Sequence, residues 1–218
     1  MSLALEGLTV RRRGGVALFA PLDLTVGPGE MAVVMGPSGV GKSTLLDAVG
    51  GHLAHGFTAA GAVRLNGRDV TALPPEARRI GLVFQDAGLF PHLSVGDNLA
   101  FGLARRVRGR AARRAAVAEA LAQAGLSGMA ARDPATLSGG QRARAALMRA
   151  LLAEPEALLL DEPFASLDAD LRADMRAFAA DQVRGRAIPA LLVTHDAADA
   201  AAAGGRCVTL GPPPDGER

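Results

Sequence analysis

Four short apolar runs punctuate the chain, and three of them end on polar side chains: Ile80–Phe84 runs into Gln85 and Asp86, Ala157–Leu160 into Asp161 and Glu162, Ala190–Thr194 into His195 and Asp196. The fourth, Met31–Met35, opens into glycine-rich sequence. Runs this short and this continuously apolar predict strands buried on both faces, as in a parallel sheet covered by helices, where ligands bind beyond the carboxyl ends. Leu3–Val10 and Val16–Val26 read as two further β segments, joined by Arg11-Arg12-Arg13-Gly14-Gly15 and closed by the turn Gly27-Pro28-Gly29. A hairpin is expected through Ala62–Leu65 with its turn at Asn66-Gly67, and a last strand over Arg206–Leu210. Between Asp86 and Glu154 the pattern turns helical, over roughly Val95–Arg105, Arg110–Ala124 and Gln141–Ala153. The expected organisation is one α/β domain. Residues 1–85 and 155–211 form a mainly parallel core with an N-terminal antiparallel β subdomain, 86–154 an inserted α-helical subdomain, and 212–218 a tail.

The segment Gly36-Pro37-Ser38-Gly39-Val40-Gly41-Lys42-Ser43-Thr44 fits G-x-x-x-x-G-K-[ST] directly after a strand. Its glycines let the backbone curl with N–H groups inward, and a helix over Lys42 to about Val49 points its positive end at the same place. Nucleotide phosphates fit there, on a P-loop NTPase (RecA-like) core. Lys42 reaches the β- and γ-phosphates and the Ser43 hydroxyl sits on Mg²⁺. Lys42 is the only lysine in a chain that otherwise uses arginine, as suits a point charge on a flexible stem. Asp161 is placed to hold the metal, with Gln85 as a further contact to metal or water. Glu162 can orient and deprotonate an attacking water, and His195 can bond the γ-phosphate region. Leu137-Ser138-Gly139-Gly140-Gln141 is a second small-residue loop opening a helix, hence a second anion site, but on the other subdomain.

The 218 residues carry 24 Lys+Arg against 22 Asp+Glu, a formal charge of +2, so charge does not point to nucleic acid, and no nucleic-acid partner is expected. Arg105, Arg106, Arg108, Arg110, Arg113 and Arg114 form the most basic stretch; without interleaved aromatics it reads as a solvated helix face. His52 and His55 have metal-like spacing but no third ligand nearby, and read as loop residues. One cysteine, Cys207, fits a reducing compartment. No apolar run is long enough to span a membrane, and the N-terminus lacks the layout of a secretory signal. A cytoplasmic location is expected.

Taken together, the Gly36–Thr44 loop, Leu137–Gln141, Asp161-Glu162-Pro163, Ser166-Leu167-Asp168 and His195 resemble the ATP-binding cassette ATPases of ABC transporters over nearly the whole chain. Val83–Val95 resembles the corresponding segment of bacterial importer subunits of the sugar, polyamine, iron and thiamine type. The resemblance implies ATP and Mg²⁺ as ligands, and a head-to-tail homodimer in which Ser138, Gly139 and Gly140 close on the nucleotide of a second copy. Gln141 then supports that loop and Asp168 lies near the opposite P-loop. It also implies a general base at Glu162, a γ-phosphate and water clamp at His195, and a sensor at Gln85. The transmembrane permease subunits would dock near Ala87–His92, with a solute-binding protein acting indirectly, so the chain would sit on the cytoplasmic face of the membrane. Cassettes carry an aromatic residue for adenine where this chain has Arg12 or Arg13, and a guanidinium can stack there instead. The chain has no room for the regulatory domain found in some sugar importers. A non-transport ATPase of the same architecture, and a scaffold that binds ATP only to dimerise, are the rival readings. The missing coiled-coil insertion speaks against the first, and intact Lys42, Asp161, Glu162 and His195 against the second.

Overall fold

The computed structural model describes residues 1–86, 88–203 and 206–213. It divides into two compact units, 1–82 with 156–162 and 180–218, and 83–155 with 163–179.

The first unit holds two sheets. Strand β1 (Leu3–Arg12) pairs antiparallel with β2 (Leu22–Val26) and with β4 (Phe57–Leu65), which turns at Asn66-Gly67 into β5 (Arg68–Asp69). The expected strand over Val16–Val26 is shortened: Pro21 removes a ladder donor, and before it only Ala17 bridges to Arg11. The second sheet runs β6 (Ile80–Val83), β7 (Ala157–Asp161), β8 (Ala190–Val193), β3 (Met31–Met35) and β9 (Cys207–Thr209). The β3–β8, β7–β8 and β3–β9 pairs are parallel. Val33, Val34, Leu158, Leu159, Leu191 and Val193 are essentially sealed from solvent, which is why these runs carry no alternation. Each such side chain contributes about 1.5–3 kcal/mol. Helix α1 (Lys42–Gly50) buries Leu45, Leu46 and Val49 in the core shared by both sheets.

Helix α2 (Pro75–Arg78) is one short turn that the pattern does not announce. The second unit is mostly helical, with α3 (Val95–Phe101), α4 (Arg110–Gln123) and α5 (Gly139–Leu151). Helix α3 stops short of the expected Arg105, and its C-cap Gly102 must be glycine because a Cβ there would lie 2.2 Å from the Arg149 carbonyl. Helix α5 starts two residues before the expected Gln141, since Ser138 caps it. Helices α6 (Ala169–Arg186) and α7 (Ala197–Ala203) were not signalled. On α6 only Met175, Ala179 and Val183 are fully buried, a stripe too narrow to stand out in an alanine-rich background.

Candidate nucleotide site

Helix α1 begins without a side-chain cap: its N-cap is Gly41, in the left-handed region at φ 104°. A Cβ at Gly41 would meet Leu18 at 3.1 Å and Phe19 at 3.2 Å, so residue and backbone shape are both fixed. The helix start thus offers its amide donors and its positive dipole end to an anion. Lys42 is buried at 7% exposure, with Nζ donating to the carbonyls of Gly36 (3.0 Å) and Pro37 (3.2 Å).

The carboxyl end of β7 delivers both acidic residues to this loop. Ser43 Oγ donates to Asp161 Oδ1 at 3.1 Å. Burial, with Glu162 adding to it, holds the Asp161 carboxyl above the usual range against the opposing pull of the Ser43 hydrogen bond and the Lys42 charge. Glu162 adopts φ 44°, unusual for a residue with a side chain, while its N–H still bonds the Val193 carbonyl. Such a conformation costs about 1–3 kcal/mol. It leaves one carboxylate oxygen 3.8 Å from Lys42 Nζ and the other 2.9 Å from His195 Nδ1.

His195 stands just past β8 and is largely exposed, at 63%. Its loop is braced by residues the sequence reading passed over: buried Thr194 donates to Asp199 Oδ2 at 2.6 Å and accepts from Asp196 N–H. No local signal in the sequence marks this brace, since its hydroxyl and carboxylate become a pair only on burial. Asp47, on α1, also feels Asp161; burial raises its carboxyl, with His52 pulling the other way.

Lys42, Ser43, Asp161, Glu162 and His195 therefore meet in the first unit. Gln85, Ser138, Gly139, Gly140, Gln141 and Asp168 lie in the second, and Arg12 and Arg13 in the first. Gln85 is exposed in the loop after β6, and Ala87 is outside the described residues. Ser138 Oγ accepts from Gln141 N–H at 3.2 Å while Gln141 Oε1 accepts from Ser138 N–H at 3.0 Å, a closed capping box. A Cβ at Gly139 would lie 3.2 Å from Leu167, and one at Gly140 3.4 Å from Leu171. Asp168 is exposed and accepts from Leu171 N–H, capping α6. Arg13 is exposed, its backbone N–H held by the Gly56 carbonyl, and Arg12 lies over the Phe57 ring at 5.8 Å.

Among the described residues no three His, Cys, Asp or Glu side chains could hold a metal by themselves. Ser43 and Asp161, hydrogen-bonded beside a buried lysine, instead suit a magnesium ion that arrives with phosphate oxygens. A glycine loop between a parallel strand and an uncapped helix, with an acidic pair at the end of β7, one strand removed across β8, defines a P-loop nucleoside triphosphatase.

The family model described as ABC transporter matches residues 19–165. The chain is 50% identical over 182 residues to the uncharacterized ABC transporter ATP-binding protein YnjD of Escherichia coli, covering 84% of this chain and 83% of that one. It is 46% identical over 198 residues to the thiamine import ATP-binding protein ThiQ of Cereibacter sphaeroides (91% and 83%). It is 47% identical over 193 residues to the sulfate/thiosulfate import ATP-binding protein CysA of Mycobacterium tuberculosis (87% and 53%), so it spans about half of that relative. This chain belongs to the ABC transporter family and is an ATP-binding, ATP-hydrolysing subunit. None of its described helices is long and apolar enough to cross a membrane.

Proposed function

We propose that the chain powers a solute importer from the cytoplasmic face of the membrane, as a homodimer that closes around ATP. The observation carrying this reading is the Glu162 carboxylate, suspended between Lys42 Nζ and His195 Nδ1 beside Asp161. Lys42 takes the β- and γ-phosphates in place of its two loop carbonyls, which frees Glu162 to face the water aligned with the γ-phosphate. Glu162 accepts the water's proton, and His195 keeps base and phosphate in register. Magnesium, held by Ser43 and Asp161 with Gln85 as sensor, supplies charge neutralisation across the phosphates. Ser138, Gly139 and Gly140 of a second copy complete the enclosure, with Gln141 supporting that loop and Asp168 facing the opposite P-loop.

Import is favoured by the relatives named for thiamine and for sulfate or thiosulfate import. The permease subunits dock near Ala87–His92, where exposed Phe101 packs edge-on against Phe90, 4.8 Å between centroids. A cavity of about 710 Å³ lined by Ala100, Val117 and Leu121, with Arg110 and Arg114 among its residues, suits a short helix carrying an acidic residue. A solute-binding protein acts one step removed. With Arg12 held over Phe57, Arg13 is the guanidinium left to stack on the base, so GTP should compete with ATP within about tenfold; a strict ATP preference in competition binding refutes that assignment.

The decisive test is phosphate release with Mg-ATP, alone and with the permease encoded beside it. Turnover that disappears in Glu162→Gln, together with an ATP-bound dimer of that variant, supports the reading. A variant that stays monomeric in saturating ATP, or a wild type that never turns over, overturns it.

A further inference from the structure

Asn98 on α3 is fully buried, and its amide organises the preceding loop. Its Oδ1 accepts from Phe90 N–H at 2.7 Å, while its Nδ2 lies within 3.0–3.2 Å of the carbonyls of Phe90, Leu93 and Ser94. Arg149, in the last turn of α5, reaches the same hub. Its Nη1 donates to the Gly88 carbonyl at 2.8 Å and approaches Asn98 Oδ1 at 3.4 Å, and its guanidinium lies 5.1 Å over the Phe90 ring. Gly88 itself is left-handed at φ 52°. Burial weakens the proton affinity of the Arg149 guanidinium. The backbone of Arg149 is equally confined, because its carbonyl fills the space where Gly102 would carry a Cβ. Helix α5 starts at Ser138 and runs about 16 Å to Arg149 at 1.5 Å per residue. Its buried face of Ala145, Leu147, Met148 and Leu151 makes it a rigid strut.

We propose that Arg149 is a positioning residue through which the glycine-rich start of α5 sets the shape of the loop over residues 88–93. The inference rests on the reading above, in which Ser138–Gly140 closes on a second copy's nucleotide and the 88–93 loop meets the permease. A movement of α5 at Ser138 is carried to its far end and pulls directly on Gly88 and Phe90. ATP occupancy is thereby felt at the docking surface without any contact between loop and nucleotide.

Hydrogen exchange on the full chain carrying Glu162→Gln, with and without Mg-ATP, tests this. ATP is expected to slow exchange over both 136–145 and 88–98. Adding Arg149→Met, which keeps the apolar stem, should leave the slowing at 136–145 and reduce that at 88–98 at least fivefold. Arg149→Lys, with one donor head where the fork met two acceptors, should restore part of it. An unchanged ATP response at 88–98 in Arg149→Met overturns the proposal. So does loss of both responses in the Met and Lys variants, which marks Arg149 as a packing residue only. Absence of slowing at 136–145 before Arg149 is touched refutes the dimer reading itself, a separate and recognisable failure.

Discussion

Two helices in this protein start on glycine-rich sequence, and they finish their first turns in opposite ways. Helix α1 begins at left-handed Gly41 with no side-chain cap, whereas α5 begins at Ser138 with a closed capping box. The α1 start keeps its donors for an anion and depends on Lys42 and the acidic residues after β7 for its electrostatics. At α5 the capping box satisfies the Ser138 and Gln141 N–H groups from within, which stabilises the turn without ligand by about 1 kcal/mol. Similar residue composition therefore gives one helix start left without a side-chain cap beside a buried lysine and one closed by its own side chains.

The largest effect that would break this contrast is at Glu162. Replacement by Gln removes the proton acceptor and should lower turnover by about 10²–10⁴-fold, while nucleotide binding stays or tightens; single-turnover kinetics alongside equilibrium binding will measure the two separately. Next is Lys42→Ala, which leaves the α1 start without its cation and should weaken ATP binding by about 100-fold or more, read by titration calorimetry. A Lys42 variant that binds ATP normally would mean the amides alone suffice.

Two smaller effects sharpen the comparison. Asp161→Asn should raise the ligand-free melting temperature at neutral pH, read by thermal unfolding. The sign follows from the raised carboxyl: its contribution to stability is fully present below the ordinary carboxylate pKa and is lost as pH rises through the higher folded value. The gap between variant and wild type should therefore close as the pH falls below that ordinary value. Ser138→Ala should lower stability by about 0.5–2 kcal/mol in thermal unfolding even without nucleotide. The same substitution at Ser38, in the loop before the uncapped α1, should change ligand-free stability far less.

Much of this was legible beforehand. The four apolar runs became β3, β6, β7 and β8 because strands buried on both faces cannot tolerate polar interruptions. The residues at their ends were readable for the same reason, since polar side chains are admitted only where the sheet stops. Helices α6 and α7 were missed because the buried stripe of α6 is only Met175, Ala179 and Val183 and α7 is seven residues with a single acidic break among alanines, so neither shows a clear period. Helix α3 ends at Phe101, before the expected Arg105, and the crowding of Gly102 by the Arg149 carbonyl, 47 positions further on, leaves no local pattern to read. The Thr194–Asp199 brace was overlooked because a buried hydroxyl–carboxylate pair looks no different in sequence from an exposed one.

The sequence by itself determined the class of chemistry, because phosphate binding needs a particular backbone path that only a few residue types at fixed spacing allow. The loop Gly36–Thr44, the Asp161-Glu162 pair and the Ser138–Gln141 helix start are short contiguous motifs, so their residue types and spacing are read directly from the chain. Tertiary structure alone decided what each charged group meets: that Glu162 stands between Lys42 and His195, that Asp161 is desolvated against Ser43, and that Arg149 reaches Asn98. Those encounters join residues tens to more than a hundred positions apart. Their strength depends on burial and distance, which exist only once the chain has folded.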